Sequence, residues 1–100
     1  MRSVVVLAEA AEDIEQAGGF YDAQEPGIGD YCASSLVADI ESLALYRGIH
    51  SRHFGFYRML ASRFPFGVYY RVTKTETQVF AVLDLRRDPN WIRKELSWRG

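Results

Sequence analysis

The chain has a single cysteine, Cys32, so no internal disulfide can form. No basic residue flanks Cys32, and a small apolar helix residue is the simpler reading than a reactive thiol. Histidine is almost as scarce: His50 and His53 have no cysteine or carboxylate cluster beside them, which argues against a metal site. There is no Gly-rich phosphate loop, no Ser-His-Asp order and no paired-carboxylate motif, so nothing calls for a cofactor. No apolar run approaches the roughly 18 residues of a membrane span. The start, MRSVVVLAEAAED, has a short apolar run that turns acidic at Glu9, Glu12 and Asp13, unlike a secretory leader. The expected location is the cytoplasm. Repeats, linkers and low-complexity tracts are absent as well.

What is present is 100 residues, 48% hydrophobic and 25% charged, the composition of one soluble domain. A domain of this size buries only ~60–65% of the surface of its unfolded chain. The net charge of −1 conceals a split. Residues 1–50 hold two basic residues, Arg2 and Arg47, against nine acidic ones, a balance of −7; residues 51–100 hold ten against four, a balance of +6. Such a split marks two differently charged faces. The plainer alternative is solvated surface everywhere.

The β-branched run 3–7 reads as a strand buried on both faces. Residues 8–24 place Ala8, Ala11, Ile14, Gly18 and Tyr21 on one helical stripe, with Glu9, Glu12 and Asp13 where the helix dipole favours negative charge. The Gly18-Gly19 pair weakens that helix, and close approach of a second helix is a reason to keep it. A break at 25–29 precedes Asp30, an expected N-cap for a second helix with Ala33, Leu36, Val37, Ile40, Leu43 and Ala44 on its buried side and Gly48 at its end. The period then changes. Residues 54–63 read as one strand. In 66–72, Phe66, Val68, Tyr70 and Val72 take one face and Gly67, Tyr69, Arg71 and Thr73 the other. Lys74 to Thr77 reads as a polar turn and 78–85 as the next strand, with a terminal helical turn over 90–96. The fold class is therefore α+β, in the order β-α-α-β-β-β, an antiparallel sheet covered on one face by an αα-hairpin, as one domain over 1–100.

Ala11-Glu12-Asp13-Ile14 with Phe20-Tyr21, the Pro26-Gly27-Ile28-Gly29 connection, Arg63-Phe64-Pro65-Phe66 with Val68 to Val72, and Val79 to Leu85 followed by Arg86-Arg87-Asp88-Pro89 together resemble the RelE/ParE superfamily. These are toxins of bacterial type II toxin–antitoxin systems, associated with plasmid stabilisation, and the resemblance is nearest to ParE-like members. The family's usual histidine before the last Arg-Arg pair is absent; Asp84 and Leu85 stand there. The resemblance implies a cytoplasmic toxin neutralised by a cognate antitoxin. ParE-like members poison DNA gyrase, and RelE-like members cut messenger RNA on the ribosome.

Residue by residue, the RelE pattern is depleted. Its first basic position falls on Arg58, the next on Leu60, the third-strand arginine on Gly67, the arginine after the last strand on Arg87 and the C-terminal tyrosine on Arg93. A metal-free ribonuclease needs a base, cations and a proton donor. Arginine binds phosphate but is too basic to serve as a good general base. Arg58 and Arg87 are thus the only catalytic candidates, and gyrase inhibition is the leading expectation. An RNA-cleaving toxin with a rearranged site and a degenerate, antitoxin-binding member remain as alternatives.

The residues expected to meet target or antitoxin are Arg52, His53, Arg58, Arg63, Arg71, Arg86, Arg87 and Trp91. The competing reading is edge-strand and surface charge that maintains solubility. Phe64, Phe66, Tyr69 and Tyr70 are expected to be core on one face and antitoxin interface on the other. Free of a partner, the chain is expected to expose an apolar patch and to associate with itself through it, as a homodimer.

Overall fold

A computed structural model describes residues 3–100; the part of the N-terminal reading that rests on Met1 and Arg2, including the Arg2 charge, lies outside the described residues. The chain runs β1 (Ser3–Val6), α1 (Ala8–Gln24), α2 (Ile28–Glu41), α3 (Leu43–Tyr46), β2 (Ser51–His53), β3 (Phe56–Leu60), β4 (Phe66–Val72), β5 (Glu76–Asp84) and α4 (Pro89–Arg99). The sheet order is β1-β5-β4-β3-β2. β1 lies parallel to β5 and every other pairing is antiparallel.

The α+β class and the αα-hairpin over one sheet face are as the sequence leads one to expect. Several local expectations are corrected. β1 is not buried on both faces: Ser3 and Val6 are exposed, and as the end of the sheet it pairs with β5 alone among the described residues. Residues 54–63 are not one strand. β2 and β3 form a hairpin around Phe54-Gly55, whose φ values of 55° and 87° are those of a two-residue turn with both central residues left-handed. Glu76 and Thr77 belong to β5 rather than to a turn. The last segment is not a single turn but the 11-residue α4, started by Pro89 and by the Asp88 carboxylate accepting from Asn90 N at 2.8 Å.

The buried stripe of α1 is rotated from the expected one. Ala10, Ile14, Ala17 and Tyr21 face the sheet, while Ala8 and Ala11 are exposed. α2 buries Cys32, Leu36 and Ile40 but leaves Val37 exposed. Asp30 does not cap it. Gly27, at φ 95°, occupies the N-cap, and Asp22 Oδ1 accepts from Gly27 N at 2.9 Å and Gly29 N at 3.2 Å. The helical path breaks at Ser42, continues through α3 and ends just before Gly48, whose φ of 79° suits a residue beyond a helix C-terminus.

The two long helices touch backbone to backbone. A Cβ on Gly29 would sit 2.3 Å from Gly18 O and 2.7 Å from Asp22 Cβ, so no side chain fits there. Gly19 has nothing within 4 Å. Gly29→Ala is expected to destabilise by about 1–3 kcal/mol through forced separation of the helices. Gly19→Ala is expected to stabilise by up to about 1 kcal/mol. Urea unfolding of the two variants checks the pair, and equal midpoints would refute the close crossing.

Two cores result. One lies between the hairpin and the sheet and includes Leu36, Ile40, Leu43, Met59, Val68, Tyr70 and Val79. The other lies under α4 and joins Phe56, Tyr69, Ala81 and Leu83 to Ile92 and Leu96. The alternation of β4 feeds both. β5 does so through a bulge: Tyr70 pairs with Val79 and Tyr69 with Ala81, leaving Phe80 extra and turned to the α4 side.

Candidate functional site

The expected basic patch is not one surface. Strand parity places Arg58 opposite Tyr69, on the α4 side of the sheet. Its aliphatic stem lies over Gly67, where a Cβ would be 3.2 Å from Arg58 Cγ and Cδ and 2.9 Å from Leu85 Cδ2. Arg58 Nε is buried without a hydrogen-bond partner among the described residues. Burial raises the Tyr69 hydroxyl pKa, and the hydrogen bond and charge of Arg58 offset this only in part. Burial and the Arg58 charge lower that of His53, whose Nε2 is 3.0 Å from Ser51 Oγ. Arg71 stacks its guanidinium 4.2 Å from the Phe56 ring centre and 5.1 Å from that of Phe80, donating Nε to Gly55 O at 3.4 Å. Arg52 lies 4.8 Å over Tyr57 and donates to the same carbonyl.

Arg63 and Arg86 stand elsewhere, at the hairpin's inter-helix end. Arg63 Nη1 donates to Tyr31 OH at 3.3 Å, and Arg86 Nη2 donates to Tyr21 OH at 3.4 Å. Between them runs a ladder of edge-on rings. Phe20–Tyr21, Tyr21–Phe64 and Phe64–Tyr31 centroids are 5.1, 4.9 and 5.7 Å apart. The outer rings, Phe20 and Tyr31, are 53% and 50% exposed. Arg86 also grips Asp84, with Nη2 2.7 Å from Oδ2, and this hydrogen bonding holds the Asp84 carboxyl below its usual range. Arg87 lies 3.7 Å over the ring of Trp91 at the start of α4.

Other polar groups are structural. Tyr70 OH accepts from Gly48 N at 2.9 Å and meets His50 Nδ1, so His50 fastens the loop after α3 to β4. Burial lowers the His50 pKa and raises that of Cys32, which suits a neutral imidazole and an inert thiol. Sequence reasoning missed the polar cluster joining the two ends of the chain. Arg99, 8% exposed in its side chain, binds Asp13 and also Glu95 at 2.8 Å, with Glu9 at 3.8 Å. Asp13 Oδ2 additionally accepts from Val82 N at 2.9 Å. Burial alone would lower the Arg99 pKa, but the Asp13 and Glu95 carboxylates more than reverse this. Nothing local in the sequence signals a pair 86 residues apart. Among the described residues no group of three or more His, Cys, Asp or Glu could hold a metal ion, and no helix is long and apolar enough to cross a membrane.

No family model matches the chain, and no curated protein matches it. A solved structure titled "Chromosomal ParDE TA system from P. aeruginosa" is similar, at 22% sequence identity and a TM-score of 0.74 over 82% of this chain and 94% of that one. At that identity the likeness concerns architecture, and by it this chain has a ParE/RelE-like fold.

Proposed function

We propose that the chain is the toxin of a type II toxin–antitoxin pair and that it acts by binding, as a ParE-like inhibitor of DNA gyrase, until a cognate antitoxin neutralises it. The observation that carries this reading is the fold shared with a chain of a ParDE system. The α4 side of the sheet supports binding over RNA cleavage. Leu60 and Gly67 supply no cation there, and the space above Gly67 is taken by the Arg58 stem. His53 has its pKa lowered by burial and Arg58, and among the described residues its ring hydrogen-bonds only to Ser51 Oγ. On this reading the antitoxin grips the aromatic ladder between Arg63 and Arg86, where two exposed rings offer anchors and two cations offer charge.

The purified protein is expected to slow supercoiling by gyrase while leaving transcripts intact in a translating extract. Ribosome-dependent cleavage that Arg87→Ala abolishes would overturn the reading in favour of a RelE-like endoribonuclease. Antitoxin binding with neither activity would mark a degenerate member.

A further inference from the structure

β5 has nine residues, and β1 pairs only with the first four, Glu76 to Val79. Beyond Val79 the chain of β1 has already turned into α1, with Leu7 N donating to Val79 O at 3.0 Å as its last contact in that lane. Residues 80–84 therefore have β4 on one side and, among the described residues, no strand on the other. The direction of their backbone groups follows from one bond. Leu85 N donates to Pro65 O at 2.8 Å, so Leu85 and Leu83 turn toward β4, and Val82 and Asp84 turn away from it.

The protein occupies part of this open edge with its own groups. Asp13 takes Val82 N, Arg99 Nη1 reaches Phe80 O at 3.3 Å, and Arg87 N takes Asp84 O at 3.2 Å. The Val82 carbonyl and the Asp84 amide are left facing a groove of about 570 Å³ between α1 and α4. An unpaired strand edge is a template for another strand. The walls differ in chemistry. α1 contributes Glu9, Glu12 and Gln16, and the opposite wall is Trp91 with the Arg87 guanidinium over its ring. Arg99 is neutralised by Asp13 and Glu95, and Asp84 by Arg86. Glu12 has no ion-pair partner among the described residues, and Glu9 keeps 62% of its side chain exposed beside Arg99.

We propose that this groove receives an extended segment of a partner protein, laid against residues 80–84 of β5 in line with β1, with lysine or arginine side chains turned toward Glu9 and Glu12. Main-chain bonds to Val82 and Asp84 would supply affinity, and the alternation of side chains would supply specificity, basic toward Glu9 and Glu12 of α1 and uncharged toward the Trp91–Arg87 stack, where a second cation would be repelled. The proposal goes beyond the toxin reading and does not depend on it.

The test uses the whole chain and a labelled peptide of alternating lysine and valine. Two control peptides replace lysine by glutamate or carry N-methyl groups on alternate amides. Binding is followed by titration, and hydrogen exchange of the Asp84 amide by NMR. Binding should slow exchange at Asp84. The N-methylated and glutamate peptides should not bind. Glu9→Lys with Glu12→Lys, both on the exposed face of α1, should weaken binding by about tenfold or more while the fold persists. The proposal is overturned by no binding up to about 1 mM, an affinity of only ~4 kcal/mol. It is equally overturned by binding that leaves the Asp84 amide unprotected, or by equal binding of the glutamate peptide. Protection of Asp84 that grows with protein concentration and no peptide would give the groove to a second copy of the chain, and would overturn it too.

Discussion

Arg99→Met is expected to lower the stability of the fold by about 3 kcal/mol, the low end of the range for removing one partner from a buried ion cluster. The side chains of Arg99 and Asp13 are 8% and 9% exposed. Removing the guanidinium leaves the Asp13 carboxylate buried with Glu95 and Glu9 nearby and, among the described residues, only Val82 N to bind it. Asp13 cannot swing out to water, because it sits in the middle of α1 against β5. In a domain of this length such a loss corresponds to a fall in Tm of roughly 12–24 °C. Asp13→Asn should cost less, about 1–2 kcal/mol, since its amide oxygen still accepts from Val82 N. The double variant Asp13→Leu with Arg99→Met should be more stable than Arg99→Met alone, because it strands no charge. Chemical denaturation of the three variants settles the order. An Arg99→Met variant within about 0.5 kcal/mol of the parent would show that the cluster is surface decoration.

That cluster also shows where the sequence stopped being readable. Periodicity carried β4 and α1 to their observed ends, but it picked the buried faces correctly only in β4. It failed where one residue decides. The β2–β3 turn is made by Phe54 in a left-handed conformation, where asparagine or aspartate would have announced it. The rotation of the α1 stripe is set by Asp13, a polar residue drawn inward by Val82 N and Arg99. No pattern within the helix reveals those partners. α4 carries its cap, Asp88-Pro89, in plain view, but only Ile92 and Leu96 are buried along it, too thin a stripe to show a second layer. The charge split was legible as a difference between halves and misleading as a surface. Strand parity sends Arg58 and Arg71 to the α4 side, while Arg63 and Arg86 meet the tyrosines of the hairpin.

This division sharpens the expectation for the proposed antitoxin. If its tail runs over the ladder of Phe20, Tyr21, Phe64 and Tyr31, the exposed Tyr31 ring is an anchor and Arg63 beside it is a steering charge. The two should separate kinetically. Tyr31→Ala removes a half-exposed ring at little cost to folding and should raise the dissociation rate about 30-fold, near 2 kcal/mol, as loss of an aromatic hot spot does. Arg63→Glu with Arg87→Glu reverses charge on exposed side chains and should act on association, because long-range attraction to an acidic tail guides encounter more than it holds the complex. The expected result is a slower on-rate that depends less on salt, with the fold intact by circular dichroism. Reversing Arg86 instead would break its bond to Asp84 and mix steering with local structure. An on-rate unchanged at low salt would mean that these cations lie off the antitoxin's path. An off-rate unchanged in Tyr31→Ala would remove the ladder from the interface, and the antitoxin would then have to be sought on another face of the sheet.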